Sequence, residues 1–201
     1  MRALRATASQ TVARLAVAAQ GATVAAVLVA CVPTAVVRAP AAPPPVLATF
    51  AVEGRLSMRH GSDALSAGFR WQHADEHDEL ALASPLGQTV AVLSGDASEV
   101  RLQAADGRVS SAADWSALTQ QGLGWPLPVQ GLSFWIQGAP RPGAPFSAET
   151  DEDGRAALIR QDGWTIVYQA YAQTADSAQR PARMVLTYPD VELRIAIDHW
   201  Q

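Results

Sequence analysis

The 201-residue sequence predicts an α+β domain: a long antiparallel meander of short strands, interrupted once by a helical stretch. Two patterns carry that reading. From Phe50 onward apolar and polar residues alternate between Gly/Asp turns, the period-2 signature of strands with one buried face. Between residues 111 and 137 the apolar spacing becomes helical. A third pattern, a basic then apolar leader ending at Cys31, sets the first residues apart from the fold.

The leader comes first in the chain. Arg2, Arg5 and Arg14 lie in a start free of acids, and the apolar stretch Leu15–Ala30 is broken only by Gln20, Gly21 and Thr23. This is short and interrupted for a membrane span and reads as an export signal over residues 1–30. Leu28-Val29-Ala30-Cys31 puts a small residue before cysteine, the lipobox pattern, so Cys31 is expected to become the lipidated first residue of the mature chain. Two or three acyl chains, at ~0.8 kcal/mol per buried CH₂, would make a durable anchor. Cys31 is the only cysteine, so no intramolecular disulfide uses it and the fold holds without one.

Residues 31–48 follow, with Pro33, Pro40, Pro43, Pro44 and Pro45 among alanines and valines. That composition favours an extended tether. Residues 49–201 then form one domain; a mature chain of roughly 170 residues suffices for a substantial core. Net charge is −4 and becomes more negative once the leader's arginines are removed. An acidic domain without a basic run excludes nucleic acid as a partner and is not drawn electrostatically to anionic lipid.

Within the domain, Phe50–Met58 alternates with Arg55 and Ser57 opposite the apolar set, and His60-Gly61-Ser62-Asp63 is a turn. Leu65, Ala67, Phe69 and Trp71 share one face of a second strand. Further strands are expected near 79–84, 88–94 and 98–104, with Gly95-Asp96 and Asp106-Gly107 as turns. A helix is expected over Ser111–Gln121, with Ser111 able to cap it, Asp114 in its first turn, and Ala112, Trp115 and Leu118 on one side. A second helix, about Val129–Gln137, places Leu132, Trp135 and Ile136 together, and Gly138-Ala139-Pro140 ends it. Strands resume at 145–150, 155–161, 163–171, 182–188 and 190–198; in the third of these Trp164, Ile166 and Tyr168 point one way, Val167 and Tyr171 the other. Two short helices are too little to fill a barrel, and an incompletely filled concave sheet offers a hydrophobic cavity of the kind that binds acyl chains.

Other constellations point away from chemistry. His73-x-x-x-His77 with Asp75, Glu76 and Asp78 has metal-like spacing but lies between strands, so it reads as a solvated hairpin loop. Asp151-Glu152-Asp153-Gly154 lacks the later ligands of a calcium loop and reads as a charged turn. There is no nucleophile elbow, phosphate loop or paired catalytic motif, so neither an enzyme nor a cofactor is expected. Trp71, Trp115, Trp135 and Trp164 can line a cavity or fill a core. Pro85 and Gly87 flank Leu86 at a hairpin tip, where polar residues are usual; read without any resemblance, the residues favour a leucine folded back on the core.

Several motifs, in order, resemble the LolB family of outer-membrane lipoprotein receptors of Gram-negative bacteria. They are Phe50-x-Val52-x-Gly54-Arg55-Leu56, Phe69-Arg70-Trp71, Ser84-Pro85-Leu86-Gly87-Gln88 and Leu127-Pro128-Val129 with Leu132-x-x-Trp135-Ile136-x-Gly138. Gln161-x-Gly163-Trp164-x-Ile166-x-Tyr168, Pro181-Ala182-Arg183-Met184 and Leu193-Arg194-Ile195-x-Ile197-x-x-Trp200 complete the set. The resemblance implies an unclosed antiparallel β-barrel of about eleven strands with a small helical lid over a hydrophobic cavity. It implies a monomer, held by lipid on the outer membrane and facing the periplasm. Such a receptor accepts lipoprotein acyl chains from a soluble LolA-like carrier and inserts the cargo into the membrane without nucleotide, metal or covalent chemistry. Leu86 matches the family's exposed membrane-insertion leucine, and Val32 after the cysteine is compatible with outer-membrane sorting. Candidates for the acyl-chain cavity are Phe69, Trp71, Leu82, Trp115 and Leu132, together with Trp135, Ile136, Trp164, Ile166 and Tyr168. The alternative reading is a lipid-anchored carrier of another apolar ligand, such as a phospholipid or glycolipid. One departure stands out: the family's helix between the cysteine and the first strand is replaced here by the short proline-rich segment.

Overall fold

The computed structural model describes residues 45–201 apart from 97, 124, 125 and 128. The expected leader, Cys31 and the tether up to residue 44 lie outside the described residues. Ala39–Gln201 is a compact unit by itself, and every element below falls within it.

Six strands come first: β1 (Thr49–His60), β2 (Asp63–Ala74), β3 (His77–Ala83), β4 (Thr89–Gly95), β5 (Val100–Ala104) and β6 (Val109–Ala112). Helices α1 (Trp115–Leu123) and α2 (Val129–Trp135) follow. The chain ends with β7 (Phe146–Thr150), β8 (Ala156–Gln161), β9 (Trp164–Gln173), β10 (Gln179–Tyr188) and β11 (Val191–Trp200). All eleven strands form one antiparallel sheet in the order β6-β5-β4-β3-β2-β1-β11-β10-β9-β8-β7. Two meanders of adjacent hairpins are thus joined where the first strand pairs with the last. The sheet is an unclosed barrel: β6 and β7, linked through the helices, are its two free edges.

The period-2 pattern decides which face turns inward. Phe50, Val52 and Met58 of β1, and Ala67, Phe69 and Trp71 of β2, are all buried. Arg55, on the opposite face, pairs with Asp198 across the β1–β11 seam at 3.0 Å. The helices cover the concave face. α1 packs on β5 and β6 and buries Trp115 and Leu118. Asp114 caps it, accepting the Ala117 amide at 2.8 Å, which satisfies one of the donors a helix start leaves free. The Thr119 hydroxyl donates to the Trp115 carbonyl at 2.8 Å and accepts the Leu127 amide at 2.7 Å, holding the connection to α2. Trp135 of α2 is fully buried and its indole donates to Gln161 Oε1 of β8 at 2.8 Å.

Three local expectations are corrected. Residues 109–112 form β6 rather than the start of a helix, because Ala112, Ser111 and Ser110 pair with Val100, Arg101 and Leu102 of β5; Asp114, not Ser111, is the cap. Tyr171 does not face away from Tyr168. Register shifts in β10 around Arg183 leave the two rings 6.1 Å apart, with the Tyr171 hydroxyl donating to the Ala156 carbonyl at 2.6 Å. His73 and Asp78 do not sit in a solvated loop either. They face each other as a cross-strand pair of β2 and β3, with Asp78 buried and the turn reduced to Asp75-Glu76.

Gly54 sits at the register shift of the β1–β11 seam. A Cβ there would lie 2.1 Å from the Ala196 carbonyl oxygen and 3.0 Å from Phe69 Cε1, so no side chain fits without moving backbone. Gly54→Ala is expected to destabilise the domain by about 1–3 kcal/mol in urea unfolding. Gly68→Ala, whose Cβ would meet nothing nearer than 3.9 Å, is expected to be neutral or slightly stabilising. Equal effects at the two positions would contradict the close approach at the seam.

Candidate functional site

Between the concave face and the helical cover lies a cavity walled from five strands and the α2 region. The sheet contributes Phe69 and Trp71 from β2, Leu80 and Leu82 from β3, and Leu193 and Ile195 from β11. Leu56, Leu65 and Leu93 complete that wall, and Leu127, Leu132 and Ile136 form the roof. Every lining side chain is hydrocarbon or aromatic, so a ligand here gains contact and desolvation but no directed bond. The free volume is about 30 Å³, room for about one water; with no polar partner, such a space stays dry.

Of the residues proposed from sequence, the structure brings Phe69, Trp71, Leu82, Leu132 and Ile136 together in this lining. Trp115, Trp135, Trp164, Ile166 and Tyr168 are buried elsewhere. Trp135 lies 6.4 Å ring to ring from Trp164, which stacks on Tyr188 at 5.1 Å. Trp115 and Trp164 border a separate, open cleft that also has Asp114, Arg141 and Asp162 on its rim. Leu56, Leu65, Leu80, Leu93 and Leu127 and the pair Leu193/Ile195 line it too, though the sequence does not single them out as cavity residues. For those on strands the signal was present as alternation, but which strands face the roof follows from sheet order.

Polar groups fix the cavity's edges. Trp71, one of its walls, donates its indole N–H to the buried Asp78 carboxylate at 2.7 Å, and His73 Nδ1 lies 2.8 Å from the same oxygen. Phe50 stacks on His73 at 5.0 Å and meets Trp71 edge-on at 5.3 Å. The end of the roof is tied down twice. Gln137 accepts the Leu47 amide at 2.7 Å and donates to its carbonyl at 3.2 Å, while the Tyr168 hydroxyl donates to the Trp135 carbonyl at 2.7 Å.

Leu86 stands apart from all of this. The β3–β4 turn is closed by Ser84 N–H to Gln88 O and Gly87 N–H to Ser84 O, both 2.8 Å. Gly87 there has φ 82°, a conformation that favours glycine. The turn presents Leu86 to solvent at 88 % exposure. Among the described residues, no group of three or more His, Cys, Asp or Glu side chains is placed to hold a metal.

An unclosed antiparallel barrel with a two-helix cover and a wholly apolar pocket between them defines a class: half-barrels that enclose a hydrophobic site. The sequence narrows that class further. The chain belongs to the LolB outer membrane lipoprotein family, whose model matches residues 48–200. It is 38% identical over 153 residues to the outer-membrane lipoprotein LolB of Nitrosomonas europaea, covering 76% of this chain and 72% of that one. The corresponding protein of Thiobacillus denitrificans is 39% identical over 161 residues, covering 80% and 84%. That of Azoarcus sp. is 35% identical over 181 residues, covering 86% and 93%.

The Tyr168 tie gives the cover a pH dependence. Burial, with Tyr171 second, holds the Tyr168 phenol above its ordinary value of 10.0. Tyr171 is raised too, by burial first and Asp151 second. Above about pH 10 the unfolded chain therefore releases protons that the fold retains. The folded state then binds more protons than the unfolded one, so stability is fully present below about pH 10 and falls above it. Urea unfolding between pH 9 and 11 is expected to show that fall, shallower in Tyr168→Phe. That variant starts about 1 kcal/mol lower at neutral pH for the lost hydrogen bond. Identical slopes would show that Tyr168 does not contribute.

Proposed function

We propose that this chain is a lipid-anchored outer-membrane receptor that accepts lipoproteins from a LolA-like periplasmic carrier and delivers them into the outer membrane. The observation that carries the proposal is the cavity. It is apolar on every side and roofed by a short helix, in a member of the LolB family. Cys31 would anchor the chain facing the periplasm, and the cavity would hold cargo acyl chains.

The cavity in its closed form is far smaller than the roughly 300–1,000 Å³ of ordinary ligand sites. Loading therefore requires Leu127, Leu132 and Ile136 to move off the sheet. The chemistry suits that motion, because the roof's cavity-side contacts are apolar and an acyl chain replaces them in kind. Each methylene withdrawn from water contributes about 0.8 kcal/mol, so a long chain can offset the lost roof contacts. Cavity residues Phe69, Trp71, Leu82, Leu132 and Ile136 are the acyl-chain contacts of this reading. Release requires only that the bilayer hold the chains more favourably than the cavity does. Leu86, inserted in lipid, would contribute about 1.5–3 kcal/mol, enough to orient a tethered domain at the membrane.

The direct test mixes a carrier loaded with labelled lipoprotein with the domain 39–201. Transfer of label to the domain is expected, and its absence would overturn the receptor reading; binding of phospholipid or glycolipid in its place would assign the cavity another cargo. In the full-length chain, Leu86→Glu is expected to accept cargo normally and to deliver it to liposomes about tenfold more slowly. Undiminished delivery would remove the loop from the mechanism.

A further inference from the structure

The proposed function leaves one buried charge unexplained. Arg180, on β10, is 3 % exposed, and its Nη1 has no hydrogen-bond partner. Its nearest acid is Asp176, whose Oδ2 lies 3.8 Å from Nη2, too long for a hydrogen bond. Asp176 is itself mostly exposed and committed to its own turn, where it accepts from the Thr174 hydroxyl and, at 3.2 Å, from the Ala178 amide. A guanidinium presents five donors, and a buried donor without an acceptor is costly enough to be rare in folded proteins. The partners of Arg180 are the distant Asp176 carboxylate and the Trp200 ring face, and neither accepts a hydrogen bond from Nη1.

The surroundings say what would complete it. The register shift at Glu53/Gly54 sets Trp200 opposite the inward-facing Val52, so the indole lies on the concave side. The Arg180 guanidinium sits over that ring, 5.5 Å from its centroid. Trp200 is 5.7 Å from Phe50, and Phe50 is 5.3 Å from Trp71, which is a wall of the cavity. An aromatic track therefore leads from the hydrocarbon site to a single unsatisfied donor at the end of the sheet where β1 begins and β11 ends. A ligand matching that layout has acyl chains at one end and an oxygen acceptor where the chains join their headgroup.

We infer that Arg180 is a headgroup-binding residue: its free N–H donates to an acyl ester carbonyl of the cargo's diacylglyceryl-cysteine while the chains occupy the cavity. This rests on the receptor reading above and adds to it a polar contact that an entirely apolar pocket cannot supply. Such a contact distinguishes an esterified lipid from a hydrocarbon of equal length.

The test compares two synthetic peptides on the domain 39–201, one carrying S-[2,3-bis(palmitoyloxy)propyl]-cysteine and one its bis(hexadecyloxy) ether analogue, which keeps the chains and lacks the carbonyls. The wild type is expected to bind the ester about tenfold more tightly than the ether. Arg180→Met is expected to bind both as the wild type binds the ether, with a melting temperature equal to or above wild type, and Arg180→Lys to recover part of the preference. An ester preference unchanged in Arg180→Met would overturn the site. Equal weakening of both peptides with a lowered melting temperature would make Arg180 a packing residue and overturn it as well. Phosphatidylglycerol provides the third arm: a loss in Arg180→Met confined to this lipid would overturn the assignment to lipoprotein. A wild type that binds neither peptide would instead refute the receptor reading, and the site with it.

Discussion

The pairing of β1 with β11 is the constraint on which the remaining architecture rests. Every other neighbour in the sheet is a neighbour in sequence, so each half could assemble as a local meander. Only the seam makes them one sheet and sends the free edges, β6 and β7, to opposite sides of the helical connection. The approach is close enough that Gly54 has no room for a side chain beside the Ala196 carbonyl. The register shift at that point sets Trp200 opposite Val52. A break in strand regularity thus re-aims a side chain, as bulges commonly do, and the chain end is then locked by reciprocal hydrogen bonds between Ala51 and Gln201.

The seam also decides what the cavity is. Its walls come from β2, β3 and β4 on one side of β1 and from β11 on the other, so neither half-meander could enclose it. The roof is held differently from the walls. Its cavity side is hydrocarbon, while the end of α2 is attached by a few hydrogen bonds, to the sheet through Tyr168 and the Trp135–Gln161 pair and to Leu47, just before β1, through Gln137. Apolar contacts are non-directional and can be exchanged for those of a ligand; hydrogen bonds with fixed partners act as hinges and stops. On the proposed reading, that division would let a site this tight open to take up an acyl chain.

Much of this is legible in the sequence, and what is not has a physical reason. One-sided burial writes period 2 into Leu65, Ala67, Phe69 and Trp71, so β2 and its inward face can be read directly. β6 cannot: it is short and largely exposed, and Ala112 satisfies helical spacing as well as strand pairing. Trp71 and Trp135 are alike in sequence and both deeply buried, yet one walls the cavity and the other anchors the roof to Gln161. Telling them apart needs the sheet order, which is set by a contact between the two ends of the domain. The same holds for Leu193 and Ile195, whose alternation is plain but whose neighbour is not. Asp78 sits in a charged stretch that reads as solvent-facing, and only its pairing with His73 and the Trp71 indole shows that it is interior.

The seam has a kinetic consequence as well. Arg55 and Asp198, bonded across it, are 143 residues apart in the chain. Contacts at such separation come late in folding, because the entropy of closing the loop must be met before the contact returns anything. While the nascent domain waits for its last strand, the long central strand β1 has one edge paired to β2 and the other bare. An open edge of that kind is a template for another chain. The ten residues of β11 therefore act as the latch of folding: until they dock, the molecule has its meanders but an unprotected edge at its centre.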